Sequence, residues 1–244
     1  MKRFLGAVGV CLLLAGLAAG SPTVTVGRAE GTYPEPAWAG EYRLTPNSEL
    51  GSLLGSDGVF QSFCVQMDAF VAADGHVPVS QRTYGVVVND TAMDSSVRLT
   101  PEVAYLYTAF RNETLPGYEF TPGAGRQRSA RALQAAVWHL QSGSGLLDVD
   151  LALINANPAW GELMYDSDET ILARQFVSAA LNSGWTSIGR VRALNLYSVD
   201  QGTRLDRQDM LGLTVPAPGA IVLGGLGLGL LGTLRRRGAA RVRR

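Results

Sequence analysis

The sequence predicts an α+β fold in which strands flank a helical middle. Residues 60–67 and 190–199 alternate as strands do, and residues 84–88 are rich in valine. Between these segments, within residues 100–181, apolar residues recur at helical spacing. This order favours a β-sandwich or a barrel-like sheet with the helices packed on it.

The strand segments can be taken in chain order. Residues 21–58 are rich in Gly, Pro and Ser, which predicts a loose lead-in with a strand or two. In residues 60–67, Phe63 and Val65 share one face of a strand while Cys64 points the other way. Residues 209–213 extend or follow the strand at 190–199.

The first predicted helix begins with Thr100 as N-cap, Pro101 at the first position and Glu102 in the first turn. The second spans roughly 126–141, and the third about 168–181, with a short helix at 148–157 between them. In the second helix the core stripe is formed by Leu133, Ala136, Val137 and Leu140, and the neighbouring stripe by Gln134, Trp138 and Gln141.

Residues 1–20 have the three regions of a secretory signal peptide. Lys2 and Arg3 precede an uncharged apolar run, and small residues at 18–20 offer a cleavage site. The alternative is an uncleaved membrane anchor. Either way, the prediction is that the central domain lies outside the cytoplasm.

The C-terminal segment 214–244 has a second membrane pattern. Val215-Pro216-Ala217-Pro218 leads into an uncharged run at 219–234, and Arg235, Arg236 and Arg237 begin a basic tail. Sixteen helical residues would span roughly 24 Å, slightly less than the apolar core of a bilayer. The tail would stay on the cytoplasmic side. A plain transmembrane helix is the alternative to a processed signal.

The order of motif, short span and arginine cluster resembles the PEP-CTERM sorting signal of Gram-negative bacteria. In this chain Ala217 stands where that family usually has Glu. The resemblance implies a membrane transpeptidase partner of the exosortase kind. It also implies an inner-membrane intermediate that is released to the cell surface or the extracellular matrix.

The formal neutrality of the whole chain conceals an acidic centre. All 21 acidic residues lie between the two terminal segments, which together hold eight of the 21 basic residues, so 13 remain and the central net charge is 13 − 21 = −8. An acidic exported domain is a poor candidate for binding nucleic acid. Lys2 is the chain's single lysine, so the domain without its signal cannot form an internal isopeptide bond between a lysine and an asparagine of its own.

Once the signal is removed, Cys64 is the single cysteine. Exported proteins usually pair their cysteines. The residue is therefore a buried apolar group, a partner in an intermolecular disulfide, a nucleophile, or part of another covalent bond. From Cys64 alone, the buried-core interpretation is favoured.

Phe63-Cys64-Val65 on a strand, followed by Leu133-Gln134-Ala-Ala-Val-Trp138 on a helix, resembles the thioester domains of bacterial surface proteins. The resemblance covers about residues 60–200, within a predicted domain at 59–213. It implies an internal thioester between Cys64 and Gln134 that captures amine-bearing partners. Trp138 and Phe63 would shield the bond. His139 is a candidate base for the incoming amine, and the favoured alternative is an exposed histidine on the helix surface.

Two other functions compete with covalent attachment. One is a non-reactive structural or matrix-associated protein of the same fold, in which no thioester forms. Without the family resemblance, Gln134 is interpreted as a solvent-facing glutamine of good helix propensity. The other is a cysteine hydrolase that uses Cys64 with His76 or His139, but the sequence has no matching signature. One non-signal cysteine and two histidines give no usual metal-ligand spacing, so we expect no metal site. We also expect no cofactor and no enzymatic activity.

Overall fold

The computed structural model describes residues 20–28, 40–56, 58–66, 82–92, 98–142 and 167–215. Within these ranges the chain forms one seven-stranded antiparallel sheet and four helices. This composition is that of an α+β domain.

The structure has strands at the predicted segments 84–88, 190–199 and 209–213 and adds others, whereas the predicted strand at 60–67 ends at Ser62 and continues only as an isolated bridge at Cys64. The strands are β1 (Thr23–Arg28), β2 (Tyr42–Pro46), β3 (Phe60–Ser62), β4 (Arg82–Asn89), β5 (Val191–Asp200), β6 (Thr203–Asp206) and β7 (Met210–Leu213). The helices are α1 (Ser48–Leu54), α2 (Pro101–Arg111), α3 (Ala124–Ser142) and α4 (Ser167–Leu181). α3 and α4 agree with the predicted helices to within two residues at each end, and α2 begins at the predicted Pro101.

The sheet has the strand order β3-β2-β1-β4-β5-β6, and β7 also pairs with β5. Beyond β3 the chain continues to the free edge of β7, where Val65 N donates to Asp209 O at 2.9 Å and Leu211 N to Phe63 O at 3.1 Å. Cys64 lies opposite Met210 between these two bonds. The segment from β3 to Val65 therefore joins β2 to β7 and closes a circuit of strand pairing.

The lead-in predicted for residues 21–58 is an integral part of this sheet. β1 lies between β2 and β4, and Val24, Val26 and Leu44 have no exposed surface. α1 was not predicted, although Asn47 is a good N-cap and its side chain accepts from Leu50 N at 3.0 Å. The Gly, Pro and Ser content of the segment is a local signal, and the non-local pairing of these strands overrides it.

Two apolar clusters share the interior. The sheet-side cluster contains Val24, Val26, Tyr42, Leu44, Leu50, Leu54, Phe60, Cys64, Tyr84, Val86, Trp138, Leu194, Leu196 and Met210. The helix-side cluster is built mainly from α2, α3 and α4 and includes Phe63 and Val65. The predicted division of Cys64 from Phe63 and Val65 is confirmed, since they lie in different clusters.

α3 packs against both α2 and α4. Its predicted core residues Leu133, Ala136 and Val137 are buried and Leu140 is partly buried, but Ala135 on the opposite side is buried as well. In α4, the buried residues are Ala173, Phe176, Val177 and Ala180, and Leu172 and Ala179 are partly buried. α3 is therefore an internal helix, and a residue on its polar stripe is not on the surface.

The predicted start of α2 is confirmed. Thr100 Oγ1 accepts from Val103 N at 3.2 Å, and Pro101 occupies the first turn. We expect Thr100→Ala to lower the free energy of unfolding by about 1 kcal/mol, because the cap acceptor is lost. Chemical denaturation measures this loss. Thr100→Ser should retain most of the stability, and an equal loss in both variants would contradict the capping role.

Several predictions fall outside the described residues. They are the signal peptide up to residue 19, the short helix at 148–157, and the segment from residue 216 onward with its apolar run at 219–234. Among the described helices, none has the length and apolar character needed to cross a bilayer.

Candidate functional site

The side chain of Gln134 and the backbone of Cys64 form a pair of hydrogen bonds. Cys64 N donates to Gln134 Oε1 at 2.9 Å, and Gln134 Nε2 donates to Cys64 O at 2.8 Å. The backbone N–H can only donate and the carbonyl can only accept, so this pairing fixes which amide atom is oxygen. The two residues are 70 positions apart in the chain, and the fold brings them together.

The strand geometry explains why the backbone N–H and C=O of Cys64 can bond to the Gln134 side chain. In an antiparallel ladder, a residue between two hydrogen-bonded positions points its own N–H and C=O away from that neighbour. Cys64 holds this position opposite Met210. On its other side, the pairing of β3 with β2 ends at Tyr42 and Ser62. Beyond that point, the carboxamide of Gln134 makes the two hydrogen bonds that a neighbouring strand would otherwise make with Cys64.

Burial makes this contact strong. Gln134 has no exposed surface and Cys64 is 1% exposed. The interpretation of Gln134 as a solvent-facing glutamine is therefore wrong. In such surroundings, an unsatisfied amide or backbone group costs about 1–3 kcal/mol. Gln134 and Cys64 satisfy each other, which accounts for a glutamine in the interior.

Trp138 and Phe63 lie on different sides of the site. Trp138 follows Gln134 by one helical turn, is 4% exposed, and belongs to the sheet-side cluster with Cys64. Phe63 is in the helix-side cluster, where its ring meets the edge of Phe110 at a centroid distance of 4.9 Å. Of the two predicted shielding residues, Trp138 therefore shares the sheet-side cluster with the Cys64 side chain, whereas Phe63 lies in the helix-side cluster.

The surroundings keep the Cys64 thiol protonated. Burial raises the pKa of this thiol well above its usual range, and the nearby Asp209 carboxylate raises that pKa further. A hydrogen bond with the Tyr42 side chain acts in the opposite direction. The thiolate form of Cys64 is therefore disfavoured at neutral pH.

His139 is the next residue along α3 after Trp138. Its side chain is partly buried, and within the described residues its Nδ1 atom has no hydrogen-bond partner. Successive helical residues point about 100° apart, so His139 is directed away from the side of α3 that carries Trp138. His76, the other histidine, lies outside the described residues.

Three neighbours of the thiol were not predicted from sequence. Tyr42 comes from β2, Met210 is the first residue of β7, and Asp209 directly precedes that strand. Asp209 has no exposed surface, and its backbone N–H bonds to Gln66 Oε1 at 2.9 Å. Sequence periodicity carries no signal for such contacts, because they depend on pairing between distant strands.

Of the predicted sorting motif, only Val215 lies in the described part, where its N–H donates to Leu53 O at 3.2 Å. Pro216, Ala217, Pro218 and the arginines at 235–237 lie outside it. The described residues contain no cluster of three metal-ligating side chains. Comparisons with protein-family models, curated proteins and solved structures found no match.

Proposed function

We propose that this protein is exported and attaches covalently to amine-bearing surface or matrix molecules through a Cys64–Gln134 thioester. The observation that carries the proposal is the mutual hydrogen bonding of these two buried residues. It holds the carboxamide against the backbone of the residue whose sulfur would attack it. Fixed proximity of this kind is the main requirement of an intramolecular acyl transfer.

The proposed reaction has two stages. The Cys64 sulfur bonds to the side-chain carbonyl carbon of Gln134, and the amide nitrogen leaves as ammonia. Later, a partner's amine attacks the same carbon, forms an amide and releases the Cys64 thiol. Burial supports the first product, because an activated acyl group survives only where water is excluded. Each molecule reacts once, so this is attachment and not enzymatic turnover.

The proposed route of export rests on the two terminal segments. The PEP-CTERM-like segment would engage an exosortase-like transpeptidase at the inner membrane, followed by release to the surface or matrix. A domain with no lysine after signal removal has no lysine amine with which to capture copies of itself.

A non-reactive structural protein is the second candidate, and a specific observation favours it. Gln141, two helical turns after Gln134, bonds to backbone in the same way. Its Oε1 accepts from Thr100 N at 3.2 Å and its Nε2 donates to Arg98 O at 2.9 Å. No cysteine is involved there, so a glutamine on this stripe can serve purely to satisfy backbone groups.

The mass of the intact protein separates the two candidates. We expect the purified protein to be lighter than its sequence by one ammonia molecule, and methylamine to add one molecule at Gln134. Cys64→Ala should have its full sequence mass and take up no methylamine. Gln141→Ala is the matched control and should still lose ammonia. A wild-type protein of full mass would contradict the thioester and favour the structural role.

A further inference from the structure

We propose that Tyr42 assists both formation and aminolysis of the thioester by donating a hydrogen bond to the Cys64 sulfur. This inference rests on the proposed function, because it assigns a role within the same reaction. It concerns a residue from a distant strand that the sequence did not indicate.

The sheet register brings Tyr42 to the sulfur. Tyr42 is the first residue of β2 and the partner of Ser62 in β3. Cys64 follows Ser62 by two positions, so their side chains point to the same face of the sheet. Tyr42 and Cys64 both belong to the sheet-side cluster, Tyr42 is only 3% exposed, and its side chain hydrogen-bonds to that of Cys64.

A hydrogen-bond donor at the Cys64 sulfur would stabilise the charge that this atom carries during the reaction. In both directions of the acyl transfer, the sulfur carries negative charge while the carbon–sulfur bond forms or breaks. The site offers little water to stabilise that charge, and the Asp209 carboxylate opposes it. The phenolic hydroxyl of Tyr42 is the group at the sulfur that stabilises the charged form.

The proton balance needs no further reactant. In formation, the thiol proton leaves sulfur and departs with the Gln134 nitrogen as ammonia. In aminolysis, one proton passes from the attacking amine to the sulfur. Tyr42 ends each stage with its own proton, so its role is to donate a hydrogen bond to the reacting atom while that atom is charged.

Tyr42→Phe tests the role, with Tyr84→Phe as the matched control. Tyr84 is a second buried tyrosine of the same cluster, 4% exposed and located on β4. Mass spectrometry follows methylamine uptake by protein that has already lost ammonia. We expect Tyr42→Phe to slow uptake about tenfold to a hundredfold, the range for losing one hydrogen bond to a charged atom. Tyr84→Phe should react at nearly the wild-type rate, although both variants lose one buried oxygen.

A spectroscopic measurement tests the contact itself. In Cys11→Ala protein treated with methylamine, Cys64 is the single free thiol, and its S–H stretching band reports its hydrogen bond. That band should shift in Tyr42→Phe and stay in place in Tyr84→Phe, when both variants have comparable melting temperatures. A merely structural role for Tyr42 would not shift it selectively.

The outcomes distinguish the two proposals. If the wild-type protein never loses ammonia, the proposed function fails, and with it the role given to Tyr42. If the thioester forms but Tyr42→Phe and Tyr84→Phe react equally fast, the inference about Tyr42 is overturned while the attachment function stands. An unshifted S–H band in Tyr42→Phe would also overturn it.

Discussion

Replacing Gln134 by alanine in a Cys64→Ala background is expected to lower the free energy of unfolding by about 3 kcal/mol or more. The background excludes any covalent bond, so the loss measures the hydrogen bonds alone. Two buried backbone groups of residue 64 would lose their partners, at about 1–3 kcal/mol each. The missing side-chain atoms would also leave a cavity where the wild-type residue has no exposed surface.

Gln141→Ala provides the comparison on the same helix. This side chain also bonds to one backbone N–H and one C=O, but Arg98 is exposed and Thr100 is only partly buried. Water can therefore replace the lost partners, and we expect a loss of about 1 kcal/mol. Urea denaturation of both variants gives the difference. Equal losses would show that Gln134 has no special structural importance.

The same variants separate stability from chemistry. In a chain with Cys64 intact and the thioester formed, Gln134→Ala removes the covalent bond in place of the full hydrogen-bond pair. The difference from the loss in the Cys64→Ala background then compares the stabilisation by the covalent bond with that by the hydrogen-bond pair. The comparison is useful because thioester formation expels the nitrogen that donates to Cys64 O, so the bond and the full hydrogen-bond pair cannot coexist.

Local signals predicted local structure well. Thr100-Pro101 indicated the start of α2 because an N-cap acts within one turn. The period of two separated Cys64 from Phe63 and Val65 because it is a property of a single strand. The helical stripe of Leu133, Ala136 and Val137 was predicted for the same reason.

Non-local structure was predicted poorly. β1 and β2 lie inside the sheet, but only their pairing with β3 and β4 makes them core strands. Tyr42 and Asp209 reach the thiol through two separate strand pairings, which no sequence window contains. The pairing of Gln134 with Cys64 was predicted from a resemblance to a family and not from the spacing of the two residues in the chain. Periodicity alone placed Gln134 on a polar stripe of an amphipathic helix, whereas the structure buries this residue completely.

Breaking the ion pair of Glu41 is the second change with a large expected effect. Glu41 directly precedes Tyr42, and its side chain has no exposed surface. Arg126, in the first turn of α3, donates from Nε to Oε1 at 2.9 Å and from Nη2 to Oε2 at 2.9 Å. The Tyr118 hydroxyl also bonds to this carboxylate. The cluster thus joins the start of β2, beside the thiol, to the helix that carries Gln134.

We expect Glu41→Ala to lower the free energy of unfolding by about 3–5 kcal/mol, because Arg126 would remain largely buried without its carboxylate. Asp206→Ala is the control. Its pair with Arg204 is about as short, at 3.0 Å, but both side chains are roughly 40% exposed, and the expected loss is below about 1 kcal/mol. The double variant Glu41→Leu, Arg126→Met should lose less free energy of unfolding than the sum of the losses of Glu41→Leu and Arg126→Met made singly. In the double variant, no buried charge is left without its partner. If Glu41→Ala costs no more than Asp206→Ala, the carboxylate does not hold β2 and α3 together, and the position of Gln134 beside Cys64 depends on apolar packing alone.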